Sequence, residues 1–384
     1  MTGRPAVLLI NSLGTGGAER TVIAAAAELR KRHREVRILC LELSPAQTPL
    51  PVVQLSRMSA ATTGFCKLAA LPILAVRLSR YVAREKAGVV MSHLFRANFV
   101  NVLARLLARS RHRAIVVNHT RVSRLLSEGL QGRVNWKLCR WLYPRADLVA
   151  SVSAGAAAEG AGLLALPPGR SVILHDPIDT AAASAAGASE GAAQAIVCVG
   201  RLVALKRFQD VIIAFARLAP DHSGLRLRIV GDGPESPALQ RLSERLEVAQ
   251  RVTFLGMVAD PARAVAGCAC FVSSSETEGF GMAIVEALAA GVPVIASDCA
   301  YGPREILCPS SDPSRLLQPG AEIEAAPYGI LYPVGSVSAL EKALRMVLGD
   351  EALRADLSRR GPGRAADFSV ERSATEYERL LFPA

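Results

Sequence analysis

No apolar stretch in this 384-residue sequence reaches the roughly 18 residues that would suggest a membrane-spanning helix. The longest candidate, Leu68 to Val76, is bounded by Lys67 and Arg77 and interrupted by Pro72. Near the N-terminus stand only Arg4 and the run Ala6 to Ile10, too brief for a signal-peptide core. Of the eight cysteines, only Cys268 and Cys270 lie close, and their spacing is neither a zinc knuckle nor a redox C-x-x-C. Reduced thiols in a cytosolic protein are therefore expected. Aromatic residues make up only 5% of the chain, and no RRM, KH or helix-turn-helix signature is present, which argues against a nucleic-acid partner. The Gly-Lys-Ser/Thr ending of a Walker A loop is also missing, as is any Asp-x-Asp metal motif.

Acidic residues are scarce in one half only. Residues 1–185 carry 25 Lys/Arg against 10 Asp/Glu, whereas residues 186–384 carry 20 against 24. Coding bias explains why 39 of the 45 basic residues are Arg, but not this asymmetry. The first half suits an anionic partner such as a phosphorylated substrate or anionic lipid. With 51% hydrophobic and 21% charged residues, the chain can fill two cores, and its length fits two domains.

The run Val7 to Asn11, the turn Gly14-Thr15-Gly16-Gly17, the helical stretch Ala18 to Arg32 and the run Val36 to Leu41 form the opening of a parallel, doubly wound sheet. Further strands are expected at 89–92, 114–118, 148–151 and 172–174, with helices near 68–86, 97–109, 131–143 and 154–162. The Ala/Gly/Ser-rich segment from Ala181 to Ala193 lacks large apolar residues and reads as a linker. Beyond it the rhythm restarts, with strands at 195–199, 225–230, 252–255, 270–273 and 294–296. Helices are expected at 208–218, 236–247, 260–267, 281–290 and 338–348. Two α/β domains joined this way are expected to enclose a ligand-binding cleft.

Ser275 to Glu286 reads as a strand end, a loop holding Glu278, the turn Gly279-Phe280-Gly281 and a helix opening at Met282. Backbone N–H groups at a helix N-terminus suit a diphosphate. A carboxylate accepts two hydroxyl hydrogen bonds at once, as sugar and ribose recognition require. Arg201 and Lys206 follow the strand ending in Val199, where two cations can neutralise charge on a departing diphosphate. The Gly16-Gly17 turn allows close backbone approach but lacks the third Gly of a dinucleotide fingerprint. That absence argues against a nicotinamide-dependent oxidoreductase.

The Glu278–Glu286 spacing, within Glu278-Gly-Phe-Gly281 and the Pro293-Val-Ile-Ala-Ser-Asp298 that follows, resembles the signature of retaining glycosyltransferase family 4, whose members have the GT-B fold. Gly302-Pro-Arg-Glu-Ile306, Tyr328 to Gly335, Gly200-Arg-Leu202 with Lys206, and Gly16-Gly-Ala-Glu-Arg20 match further elements of that family; after Lys206 the family usually has Gly, here Arg207. The resemblance implies two Rossmann-like domains facing an interdomain cleft. It assigns Glu278 to the donor sugar, Glu286 to the ribose, the amides of Phe280, Gly281 and Met282 to the diphosphate, and Arg201 and Lys206 to the phosphates. Gly16 and Gly17 would approach the donor phosphates. His119, after a strand, stands where the family often has a histidine near the donor sugar; the other five histidines lack a comparable setting. Met257 and Val258 follow a strand end where backbone groups often read the nucleobase.

These matches imply residues 1–180 as an acceptor-binding domain, 181–194 as linker, 195–367 as a nucleotide-sugar domain and 368–384 as a helix returning to the first domain. The expected enzyme retains anomeric configuration by same-face displacement, without metal or cofactor, because Arg201, Lys206 and a helix dipole can do a divalent ion's work. Its expected donor is a UDP-hexose or UDP-N-acetylhexosamine, with GDP-mannose as the nearest alternative. Arg77, Arg80 and Arg84 share one helical face beside apolar residues, which suits an anionic bilayer or a lipid-linked diphosphate acceptor. A polyprenyl-diphosphate-linked glycan and a peripheral position on the inner face of the cell membrane are the corresponding expectations, with a soluble small-molecule acceptor as the alternative.

Overall fold

The computed structural model describes residues 4–383 except 15, 44–47, 60–61, 109, 128, 188–190 and 259. It divides into two compact units, residues 1–177 with 370–384, and residues 178–369. The first unit runs β1 (Ala6–Ile10), α1 (Gly17–Lys31), β2 (Val36–Cys40), β3 (Val52–Gln54), α2 (Gly64–Ala69) and α3 (Leu71–Glu85). It continues through β4 (Val89–His93), α4 (Phe95–Ala108), β5 (Arg113–Asn118), α5 (Gly129–Leu142), β6 (Leu148–Ser151), α6 (Ala154–Leu163) and β7 (Ser171–Ile173). The second unit begins with α7 (Thr180–Ala185), β8 (Ala195–Val199), α8 (Phe208–Leu218), β9 (Arg226–Val230), α9 (Ser236–Arg245) and β10 (Val252–Gly256). There follow α10 (Pro261–Val265), β11 (Cys270–Ser273), α11 (Met282–Ala289), β12 (Val294–Ser297) and α12 (Pro303–Leu307). The strands β13 (Glu324–Ala326), at the sheet edge, and β14 (Gly329–Tyr332) and the helices α13 (Val337–Gly349) and α14 (Glu351–Ala365) complete it. The last helix, α15 (Val370–Leu381), belongs to the first unit.

The first sheet is parallel throughout in the order β3-β2-β1-β4-β5-β6-β7. Its strands are almost continuously apolar because both faces are covered. One face packs on Leu74, Leu78, Phe99, Leu103, Cys139 and Leu142 of α3, α4 and α5. The C-terminal helix is held by Arg113, which donates to the Leu380 carbonyl at 2.7 Å, and by Arg34 against Glu378 at 2.6 Å. The second sheet runs β10-β9-β8-β11-β12-β14-β13. Strand order reverses at β1/β4 and again at β8/β11. In open α/β sheets ligands sit beyond the carboxyl ends of strands at such points.

The two expected parallel-sheet units are present, with one addition at the edge of the second, where β13 pairs antiparallel with β14. Other expectations are corrected. The expected linker is partly structured: α7 is capped by Asp179, whose side chain accepts from the Ala182 amide, and buries Ala183. Part of that linker, residues 188–190, lies outside the described residues, as does Thr15 of the glycine turn. The helix expected over 68–86 is two helices meeting at Ala70, because Pro72 occupies the first turn of α3, where a missing N–H costs nothing. The short β3, β13 and β14 were too brief to stand out, and α14 contains Gly361, Pro362 and Gly363, residues that read as a loop.

Candidate active site

In the second unit, the loops after β8, β9 and β10 are stitched together by backbone. The Gly200 amide donates to Val230 O at 2.9 Å, Leu202 N to Asp232 O at 2.9 Å, and Gly231 N to Gly256 O at 2.8 Å. Gly231 and Gly233 permit this, since a Cβ on either would overlap the carbonyl of Gly200 or Leu202. Arg201 is thereby projected from a fixed backbone; its side chain is exposed and has no partner among the described residues. Met257, just past β10, is 61% exposed, and Val258 is half-buried beside it.

Lys206 ends a one-turn helix over Ala204–Lys206. Its carbonyl accepts from Ser274 Oγ at 2.7 Å, and Glu276 N donates to Leu205 O at 2.8 Å. These bonds join the loop after β8 to the loop after β11, so Lys206 Nζ pairs with Glu278 Oε1 although the two stand 72 positions apart. Ser275 Oγ donates to the same carboxylate oxygen at 2.6 Å. Glu278 is thus held by a cation and a hydroxyl rather than capping a helix, and the N-cap of α11 is Gly281, at φ 110°. The amides of Met282 and Ala283 occupy the first turn of that helix, where no intrahelical acceptor exists. Glu286 lies within the first two turns of α11 and is buried among Ile284, Val285 and Leu288. Arg207, which replaces the usual Gly, sits at φ 48°, the left-handed conformation that explains the glycine preference there. Its guanidinium Nε is tied to Asp210 at 2.7 Å.

A second brace supports Glu278 from β12. Thr277 Oγ1 donates to Ala300 O at 2.6 Å, Glu278 N to the same oxygen at 3.2 Å, and Tyr301 N returns to Glu278 O at 3.2 Å. Gly302 is required here, because a Cβ would overlap the Phe280 carbonyl. Behind this loop Arg304 grips the buried Asp298, with Nη2 2.6 Å from Oδ2 and Nε 3.0 Å from Oδ1, and reaches Glu324 at 2.7 Å. Sequence reasoning quoted Ser275, Asp298 and Arg304 within motifs but assigned them nothing. Their neighbours in space were not visible in one dimension.

In the first unit, Gly16 N-caps α1 with exposed Gly17 after it. His119, just past β5, is nearly buried: its Nε2 lies 2.9 Å from His93 Nδ1 and its Nδ1 3.4 Å from Asp176 Oδ1. Asp176 also accepts from Thr21 Oγ1 at 2.9 Å. His93 is therefore a second histidine in the setting expected of His119 alone. It terminates β4 at the strand reversal, stacks on Tyr377 and is fully buried. Burial, then the neighbouring His119, holds its imidazole well below the usual range. The apolar side of α3 is core, with Leu71, Leu74, Ala75 and Leu78 buried, so it cannot face lipid as expected. Arg77, Arg80 and Arg84 are exposed on the other side; Arg77 donates to Leu55 O at 2.7 Å, and Arg84 pairs with Glu85 at 2.9 Å.

All eight cysteines are free, no helix among the described residues is long and apolar enough to cross a membrane, and no group of three or more His, Cys, Asp or Glu among them is arranged to hold a metal ion.

The family described as Glycosyl transferases group 1 matches residues 181–364, and Glycosyltransferase Family 4 matches residues 15–182. The chain is 26% identical over 378 residues, 96% of its length and 98% of the relative's, to the N-acetylgalactosamine-N,N'-diacetylbacillosaminyl-diphospho-undecaprenol 4-alpha-N-acetylgalactosaminyltransferase of Campylobacter jejuni. A lipopolysaccharide 1,6-galactosyltransferase of Salmonella typhimurium is 34% identical over 129 residues, 32% of this chain and 35% of that protein. Among solved structures, Anabaena HepE in complex with UDP and glucose superposes with a TM-score of 0.77 at 20% identity, covering 99% of both chains. Sucrose-phosphate synthase from Thermosynechococcus elongatus superposes with a TM-score of 0.79 at 19% identity, covering 98% of both. With both halves matched and the fold shared end to end, the chain belongs to the group 1, family 4 glycosyltransferases and is a glycosyltransferase of the GT-B fold.

Proposed function

We propose that this glycosyltransferase moves a hexose or N-acetylhexosamine from a UDP-sugar to a polyprenyl-diphosphate-linked glycan, at the inner face of the cell membrane, with retention of configuration. The observation that carries the reading is the Lys206–Glu278–Ser275 constellation at the carboxyl ends of β8 and β11, beside the N-terminus of α11. In this reading the diphosphate lies on the first-turn amides of α11. Arg201 and Lys206 neutralise the charge that grows on it as the glycosidic bond breaks. Glu278 accepts sugar hydroxyls and Glu286 accepts from the ribose. The departing phosphate oxygen takes the acceptor proton on the face from which it leaves, so no enzyme nucleophile and no metal ion enter the step. The lipid-linked acceptor in the Campylobacter relative's name and the UDP in the Anabaena complex support the choice of acceptor and donor.

The test is nucleotide release from a panel of nucleotide sugars in EDTA, with and without a polyprenyl-diphosphate-linked glycan. Lipid-dependent UDP release, an α-linked product from an α-linked donor, and a fall of about 10²–10³-fold in kcat for Glu278→Gln are expected. Turnover with only a soluble acceptor would replace the lipid reading. Failure to bind UDP or GDP would remove the donor assignment.

A further inference from the structure

Helix α5 was not singled out by sequence reasoning, yet it presents an unusual outer side. Leu130 is 80% exposed, Trp141 46% and Val134 37%, with Leu126 half-exposed in the turn before it. At about 100° per residue, Leu130, Val134 and Trp141 fall within an arc of about 40°. Arg133, Lys137 and Arg140, all exposed, fill the adjoining arc of about 60°. Arg145 lies over the Trp141 ring, 5.2 Å from its centroid, which keeps a cation beside the exposed indole. Residues 121–145 hold six Lys/Arg against the single Glu128. The inner side of the helix is satisfied, since Cys139 and Leu142 pack into the core with Trp136 against them.

Exposed large apolar residues are also distributed unequally. Among the described residues the first unit has eleven and the second only Leu255, Met257 and Met346. The neighbouring helices α3 and α4 cover the same sheet face and expose Ile73 and Leu107. A soluble surface gains nothing from leucine and tryptophan standing in water next to exposed cations. A water–bilayer boundary accommodates both: indole and leucine enter the headgroup–acyl region while Arg and Lys meet anionic phosphates.

From this we infer that the outer face of α5, led by Leu126, Leu130, Val134 and Trp141, is a docking surface for an anionic lipid bilayer. The charge complementarity singles out anionic phospholipid rather than a neutral membrane. This moves the expected contact from the Arg77–Arg80–Arg84 stripe to a different helix. Docking needs no nucleotide sugar, so the inference stands apart from the donor reading. The docking rests on the proposed membrane position, so a chain that turns over donor yet ignores vesicles would sink both of these and leave the donor assignment standing.

Both tryptophans of the chain, Trp136 and Trp141, lie on α5, so W136F leaves an intrinsic probe at the proposed contact. The experiment uses the full chain with vesicles of phosphatidylglycerol and phosphatidylcholine, or of phosphatidylcholine alone, read by co-sedimentation and Trp141 emission. The expected result is binding and a blue shift with the anionic vesicles only. L130E/W141E, at exposed positions that leave the core intact, should weaken binding at least tenfold. K137E alone removes one favourable charge and adds an unfavourable one, and should weaken binding by more than the roughly fivefold expected per cation lost. Equal melting temperatures of the variants and wild type would confirm that folding is unchanged. The inference is overturned if vesicles do not bind, if R77E/R80E/R84E abolishes binding while L130E/W141E does not, or if L130E/W141E instead dissociates a dimer.

Discussion

Replacing Arg304 with alanine should uncouple the support beneath Glu278, and the structure gives a magnitude. Asp298 is wholly buried and accepts three times from Arg304 and once from the Leu317 amide at 2.7 Å. Glu324 is about one-third exposed, so water can take over when its partner leaves, and that half of the triad contributes at most about 1 kcal/mol. The Asp298 half is different: removing one partner of a buried pair strands a charge and costs about 3–5 kcal/mol. The loss should be confined to the second unit. Both tryptophans lie in the first, so urea unfolding followed by far-UV circular dichroism should show a transition moved to lower urea, while the tryptophan transition stays in place. Asp298→Asn combined with Arg304→Met removes the stranded charge and should recover much of the loss. UDP affinity should fall as well, because the Ala300–Tyr301 segment that bonds Glu278 lies in the chain between Asp298 and Arg304. A cost below about 1 kcal/mol, or an equal shift in both probes, would refute the account.

Gly302→Ala places a methyl against the Phe280 carbonyl at φ 112°. It should lower the melting temperature and weaken UDP binding together, by calorimetry and titration, whereas Gly363→Ala, in open space on a helix, should do neither. A pH effect follows from His112. Its Nε2 donates to Asn101 Oδ1 at 2.8 Å, an orientation fixed because Asn101 Nδ2 donates to the Val90 and Ile115 carbonyls. Its Nδ1 accepts from Ser110 Oγ at 2.8 Å. Burial first, then Arg105, holds His112 at about 4, below the ordinary histidine value near 6.5. The unfolded chain therefore binds the extra proton, and stability is greatest above about pH 6.5 and falls as pH drops toward 4. Unfolding by tryptophan fluorescence between pH 7 and 5 should show a smaller loss in His112→Asn than in wild type, by up to about 1.4 kcal/mol per pH unit.

Periodicity and glycine placement were enough to read most strands and both sheets, because parallel strands buried on two faces leave runs such as Val7 to Ile10 with no polar interruption. The failures have local causes. β3 and β13 are three residues long and carry too few apolar positions to display a period. The antiparallel β13 arises from a tight reversal at Pro327 and Tyr328, next to a strand otherwise read as part of a family motif. Ala181 to Ala185 looked like linker because alanine is equally at home in a spacer and a helix. What decided was the Asp179 cap and packing that one dimension does not display.

The same distinction separates legible from illegible parts of the site. Glu278, Lys206 and Gly281 are legible because each stands at a short distance from a strand end or helix start within one motif, and that distance is countable along the chain. His93, Asp176 and Thr21 were passed over because each comes from a different strand end or helix; His93 and Asp176 meet His119, and Thr21 meets Asp176, only in space. An arrangement assembled from four elements leaves no spacing to count. The α5 face was overlooked for a related reason. Apolar residues along one helix do not announce which of them are core, and only the fold shows that Cys139 and Leu142 fill that role, leaving Leu130 and Trp141 outside. Burial, unlike motif spacing, is a property of the whole molecule. Surplus apolar residues therefore become visible only once the core has been accounted for, and on this chain the surplus falls on its most basic helix.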